Sequence, residues 1–176
     1  IEFFKQAQMA GINYYQDASD IAVIYAIQGK WEKAEKELTD ILMYFPENRI
    51  IKNSLGKIRL SNGDYKGAIE VLSSIGKKSD AETWSLLGAA LLSQNRWREA
   101  ERSLGKALEY QPGRIDALNN MALIYLRTGR TLRSKALIDA VLKKDPDNES
   151  AQRNLQLLVI EDSKTASESS RPQIKD

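Results

Sequence analysis

Residues 81–112 read AETWSLLGAALLSQNRWREAERSLGKALEYQP, and this stretch decides the fold of the chain. Apolar residues recur at helical spacing before Asn95 and again after it. Asn95 itself is a residue type that tolerates the left-handed backbone at which many helices end. Pro112 closes the stretch, because proline cannot continue a helix. The pattern therefore predicts two helices joined by a short turn.

The same marks recur in three further units of the chain. Each unit carries a turn residue, then a small residue, then an apolar residue at fixed spacing; a small side chain at the second mark lets the two helices approach. The marks are Gly29, Ala34 and Leu38; Gly63, Ala68 and Leu72; Asn95, Ala100 and Leu104; and Gly129, Ser134 and Ile138. Pro46, Pro112 and Pro146 close three units, whereas the second lacks this proline and is shorter.

The spacing within the third unit resembles the tetratricopeptide repeat signature, which is carried by Trp84, Leu87, Gly88, Leu91, Ala100, Leu104, Ala107 and Pro112. The resemblance implies an all-α fold, an α-solenoid of about four helical hairpins with a C-terminal capping helix. We expect repeats at residues 15–48, 49–80, 81–114 and 115–148, and the capping helix at 149–162.

The two ends of the chain lie outside these repeats. Residues 1–14 are expected to hold a partial helix of an incomplete earlier repeat, and the polar residues 163–176 a disordered tail. Ser79 and Glu82 have the spacing of a capping box, which predicts Ser79 as the cap of the third repeat's first helix.

Composition narrows the possible functions. The chain has 26 basic and 24 acidic residues, a net charge of +2, and neither Cys nor His. Disulfides are therefore excluded, and zinc sites lose their two usual ligand types. The commonest general base and the Ser–His and Cys–His nucleophile pairs are missing as well. We expect no enzyme, and no catalytic, cofactor or metal site.

Stacked helical pairs form a superhelix whose concave face is lined mainly by the first helix of each pair. The family resemblance assigns fixed positions of each repeat to this face. In this chain they combine an apolar stripe with amide side chains, which suits a helix or an extended peptide of a partner protein. The candidate partner-binding residues are Val23, Ile27, Asn53, Lys57, Leu60, Ser85, Leu92, Asn119, Asn120, Leu123, Leu126 and Arg127.

Two more specific ligands are not expected. A chaperone-type clamp for a terminal carboxylate is disfavoured, because Asp116 stands where it would repel that group. The basic cluster of Arg127, Arg130, Arg133 and Lys135 has no interleaved aromatic residues, so we interpret it as a solvated turn and expect no nucleic-acid partner. The function that remains is a protein–protein interaction scaffold.

Residues 118–129 and 152–155 resemble bacterial assembly proteins of the Tad (Flp) pilus type. That resemblance implies a lipoprotein acting in pilus or secretin assembly at the periplasmic face of the outer membrane, although the sequence has no Cys to carry a lipid. Two alternatives stay open: a cytoplasmic adaptor or regulatory module of a larger protein, and the substrate-recruiting arm of an enzyme. Phe3, Phe4, Tyr14 and Tyr15 also predict a homodimer through the N-terminal end if the chain is intact.

Overall fold

The computed structural model describes the backbone of residues 14–169 and the side chains of residues 15–163. Every regular element in this range is helical, which confirms the all-α fold class. The helices are α1 (Tyr14–Ile27), α2 (Trp31–Leu42), α3 (Arg49–Ser61), α4 (Tyr65–Ser73), a 3-10 turn (Gly76–Lys78), α5 (Ala81–Ser93), α6 (Trp97–Tyr110), α7 (Ile115–Arg127), α8 (Thr131–Lys144) and α9 (Glu149–Ser169).

The chain divides into two compact units, one ending at Tyr110 and one beginning at Gln111. In unit 1 the helices pair as α1 with α2, α3 with α4, and α5 with α6, and the first helices α1, α3 and α5 also pack side by side. In unit 2, α7 pairs with α8, and α9 packs against both. The predicted helix at residues 1–14 lies outside the described residues, apart from Tyr14.

The turn inside each pair has one shared backbone conformation. Gly29, Gly63 and Gly129 have φ angles of 72°, 81° and 71°, and Asn95 takes the same place with a φ of 57°. In the third pair, the Arg96 amide donates to the Leu91 carbonyl at 2.9 Å, which closes the end of α5. Asn95 thus takes the role of glycine, as the sequence predicts.

Small residues allow the two helices of a pair to touch. Ala34, Ala68, Ala100 and Ser134 are completely buried. On the facing helix, a Cβ built on Gly88 would lie 2.6 Å from Cγ of Leu104, so only glycine fits there. In unit 2, Ser134 replaces the alanine. The Ser134 hydroxyl donates to the Ala122 carbonyl at 2.8 Å, so this buried polar group has a hydrogen-bond partner.

Two boundaries differ from the prediction. The cap of α5 is Asp80, whose carboxylate accepts from the Thr83 amide at 2.9 Å, so the predicted capping box from Ser79 is wrong by one residue. Helix α9 continues to Ser169, so residues 163–169 of the predicted disordered tail are helical. The reason is that no proline or glycine follows Asp162 before Pro172, and nothing in that stretch stops a helix.

Candidate functional site

Four predicted groove residues of unit 1 stand on the first helices with accessible side chains. Val23 and Ile27 on α1 are 37 % and 81 % exposed. Lys57 on α3 is exposed, and Leu60, one turn later, is half-buried. We call Val23, Ile27, Lys57 and Leu60 the first-helix surface of unit 1. It offers apolar side chains and one cation to a partner.

Asn53, a predicted peptide contact, is instead part of the interior of unit 1. It is 4 % exposed, and its Oδ1 accepts a hydrogen bond from the Thr83 hydroxyl of α5 at 2.9 Å. One repeat earlier, the Ser54 hydroxyl of α3 donates to the Ser19 hydroxyl of α1 at 2.8 Å. Polar side chains therefore join successive first helices. The amide of Asn53 is consequently not available to a peptide backbone, which also removes it from any carboxylate clamp.

Asn119 takes the same structural role in unit 2. It is 7 % exposed, its Nδ2 donates to Oδ1 of Asn148 at 2.9 Å, and its carbonyl accepts from Nδ2 of Asn154 at 3.0 Å. These bonds tie α7 to the start of α9. Within the described residues, Oδ1 of Asn119 is buried and accepts no hydrogen bond. The prediction that Asn119 reads a partner's backbone is therefore not supported by its position.

Three other candidates are also buried. Ser85, Leu92 and Leu126 are 1 %, 9 % and 8 % exposed. Leu126 belongs to the core of unit 2 together with Ala122, Ile138 and Leu158. A position that faces inward in an isolated repeat becomes covered when neighbouring helices pack on it, and the sequence alone does not show how far that covering extends.

The accessible candidates of unit 2 gather around a small cavity. It has a volume of about 180 Å³ and lies between α7 and α9, lined by Leu123, Leu126, Arg127, Leu157 and Glu161. Leu123 and Asn120 are half-buried and Arg127 is exposed. We call Asn120, Leu123, Arg127 and Leu157 the first-helix surface of unit 2. The apolar walls of the cavity can hold an apolar side chain, and Arg127 and Glu161 at its edge can orient polar groups beside it.

Sequence reasoning missed the contribution of α9 to this surface. The sequence pattern predicts a capping helix for the stretch that holds Leu157 and Glu161, but no binding role for either residue. The signal was present, because Leu157 and Glu161 are four residues apart and share one face of α9, separate from the face of Asn154 and Leu158 that packs inward. Leu157 is 37 % exposed, whereas Leu158 is 3 % exposed.

The aromatic and basic residues singled out earlier have local partners. The Tyr15 ring packs edge-on against Phe45, with centroids 5.5 Å apart, inside the core of the first repeat. Arg130 of the basic cluster lies over the Tyr125 ring, 4.3 Å from its centroid. Phe3, Phe4 and the Tyr14 side chain lie outside the described residues, so the predicted homodimer stays a prediction.

Two further observations concern membrane spanning and metal binding. Across residues 14–169, none of the helices combines the length and apolar character needed to cross a membrane. In the same part of the chain, no three acidic side chains come together in a way that could hold a metal ion.

Comparison with known proteins places this arrangement in a family. Two profiles described as tetratricopeptide repeat match residues 20–82 and 91–158, which together make up more than half of the chain. Sperm-associated antigen 1 of Rattus norvegicus is 29 % identical over 119 residues, which is 67 % of this chain. The chain spans only 13 % of the length of that rat protein.

Solved structures show the same fold. MamA of Desulfovibrio magneticus RS-1, from residue 41 to its end, has a TM-score of 0.64 at 18 % identity and covers 77 % of each chain. TTC0263, a thermophilic tetratricopeptide repeat protein of Thermus thermophilus, has a TM-score of 0.71 at 16 % identity and covers 82 % of this chain and 81 % of its own. With both the profiles and the helical pairs in agreement, the chain belongs to the tetratricopeptide repeat family.

Proposed function

We propose that the chain is a non-catalytic scaffold that binds a peptide or a helix of a partner protein on the first-helix surfaces of its two units. Tetratricopeptide repeats act as protein–protein interaction scaffolds, and the proposal gives this chain a binding surface within that role. A partner segment with apolar anchors suits these surfaces, because buried apolar area supplies most of the affinity of a helix or strand held in a groove.

The observation that supports the proposal most strongly is the cavity between α7 and α9. Leu123 and Leu157 stand at its walls, and Arg127 and Glu161 flank them with opposite charges. An apolar side chain entering this cavity loses contact with water, while the two charged groups can fix the direction of the segment that carries it. In unit 1, the half-buried Leu60 and the exposed Lys57 repeat the combination of an apolar side chain and a charge.

The test is a binding measurement with Val23→Glu combined with Leu123→Glu, one substitution on each first-helix surface. Peptides are first selected on the wild-type chain from a random display library, and their affinities are then measured by fluorescence anisotropy. We expect the double variant to lose about tenfold or more, because a carboxylate replaces an apolar contact. Leu132→Glu with Val159→Glu is the matched control, since both residues are exposed, at 84 % and 58 %, and lie away from these surfaces.

The proposal fails if the Val23 and Leu123 variant is folded, as judged by circular dichroism, and binds every selected peptide as well as the control variant does. Leu92→Glu is avoided, because Leu92 is only 9 % exposed and a buried carboxylate would destabilise α5 itself.

A narrower proposal concerns the cellular process and the location in which this scaffold acts. The resemblance of residues 118–129 and 152–155 to Tad pilus assembly proteins supports a role in bacterial pilus or secretion assembly at the periplasmic face of the outer membrane. The complete open reading frame tests it. An upstream lipobox Cys is expected, and a catalytic domain in its place would favour the recruiting arm of an enzyme instead.

A further inference from the structure

A second recess lies in unit 1, away from the first-helix surface. It is a furrow of about 240 Å³ that runs between the second helices α4 and α6, with α5 beneath it. Ser73 lines the furrow and is also the last residue of α4, so this helix stops at the furrow's edge. Helix α4 has 9 residues, whereas α6 has 14, and the chain leaves α4 through a 3-10 turn at Gly76–Lys78.

The floor of the furrow is apolar. Trp84, Leu87 and Leu91 of α5 face it, and Ile69 of α4 forms one side. Leu87 and Leu91 are 7 % and 4 % exposed, and Trp84 is half-buried. Because Leu87 and Leu91 are already covered, the apolar area that a partner side chain could bury here comes mainly from the half-buried Trp84 and Ile69.

The rim of the furrow is positive. Arg96, Arg102 and Lys106 line it together with one carboxylate, that of Glu99. Arg96 donates two hydrogen bonds of 2.7 Å to Glu99, and these hold the pKa of the Glu99 carboxyl below its ordinary value. Glu99 therefore stays charged at neutral pH and is already paired with Arg96. The charges left to face a partner are those of Arg102 and Lys106.

The Lys106 side chain is exposed, and its ammonium lies over the floor. Its ammonium lies 4.2 Å from the centroid of the Trp84 ring. This cation–π contact places a positive charge directly beside the apolar floor. The exposed side chain of Arg102 lies one turn before Lys106 on α6, and its charge also contributes to lowering the pKa of Glu99. Two cations thus border an apolar floor on the same side.

We propose that this furrow is a second docking site, which binds an acidic segment of a partner protein that carries an apolar side chain next to its carboxylates. The apolar side chain would cover Trp84 and Ile69, and the carboxylates would pair with Arg102 and Lys106. The apolar floor favours a protein segment over a bare phosphate or a nucleic-acid backbone, because neither of those offers an apolar group to bury. The site is independent of the first-helix surfaces.

The test uses peptides selected on the wild-type chain from a random display library, with three variants for comparison. Arg102→Glu with Lys106→Glu reverses the rim, and Ser73→Phe fills the furrow while leaving both cations in place. Lys33→Glu with Lys36→Glu is the control, since it makes the same change of charge at two exposed residues of α2. Affinities are measured by fluorescence anisotropy at low and high salt, with circular dichroism to verify folding.

We expect a class of enriched peptides with Asp or Glu beside an apolar residue. Both furrow variants should weaken this class about tenfold or more, and added salt should weaken it as well, because rim charges are screened. The control should leave it unchanged. The proposal is overturned if no acidic peptide is enriched, or if those enriched bind either furrow variant as tightly as the control. Peptides weakened only by Val23→Glu with Leu123→Glu report on the first-helix surfaces, so failure here leaves that function standing.

Discussion

At the scale of single residues, one close approach between paired helices is the contact between Gly88 of α5 and Leu104 of α6. Leu104 is completely buried and cannot move away without disturbing the core. We predict that Gly88→Ala lowers the free energy of unfolding by about 1–3 kcal/mol, as an added methyl group overpacks the site. Urea unfolding followed by circular dichroism measures the change.

Gly105→Ala is the matched control for that prediction. Gly105 lies within α6, and a Cβ built on it meets no atom within 4 Å. Alanine is favoured over glycine inside a helix by about 1 kcal/mol, so this variant should be as stable as the wild type or more so. Equal losses of unfolding free energy in Gly88→Ala and Gly105→Ala would show that the contact with Leu104 does not restrict position 88 to glycine.

The residues of the turns and of the helix contacts could be predicted from the sequence. The hydrogen-bonding roles of Asn53 and Asn119 could not. The left-handed backbone at Asn95 is a requirement of its own turn. Its position relative to the other repeat marks was therefore enough to predict its role. The side chains of Asn53 and Asn119 depend on distant hydrogen-bond partners, Thr83 and Asn148. Those partners lie 30 and 29 residues further along the chain, and only the packed helices reveal them.

At the scale of elements, α9 is an integral part of the core of unit 2. It packs through Leu158, which is 3 % exposed in a cluster with Ala122, Leu126 and Ile138. We predict that Leu158→Ala lowers the free energy of unfolding by about 2–4 kcal/mol, because it removes buried methyl groups and leaves a cavity. Thermal or urea unfolding of the purified chain measures this loss.

Val159→Ala provides the control on the same helix. Val159 is the next residue and is 58 % exposed, so its truncation should change the free energy of unfolding by only about 0.5 kcal/mol or less. If Leu158→Ala lowers the free energy of unfolding as little as Val159→Ala does, α9 does not cover the end of unit 2. Helical periodicity predicted the existence of this helix, but its end at Ser169 was missed, since a polar composition was taken as a sign of disorder.

At the scale of the whole chain, the family could be predicted from the sequence but the binding surface only in part. The repeat marks are set by contacts inside one helical pair, and these recur in every unit. The binding surface depends on which inward positions remain open after neighbouring helices have packed. Leu123 and Arg127 stay accessible, whereas Ser85 and Leu126 do not. The cavity beside Leu123 also needs Leu157, which comes from the capping helix α9.

The most direct test of the central claim is a map of backbone amide chemical-shift changes in the chain on binding of a selected peptide. The peptide is selected on the Arg102→Glu and Lys106→Glu variant, so that furrow binders do not dominate. We predict that the largest changes fall on first-helix surface residues: Val23, Lys57 and Leu60 in unit 1, and Leu123, Arg127 and Leu157 in unit 2. Changes confined to the second helices α2, α4, α6 and α8 would contradict the claim that this chain binds its partners through its first helices.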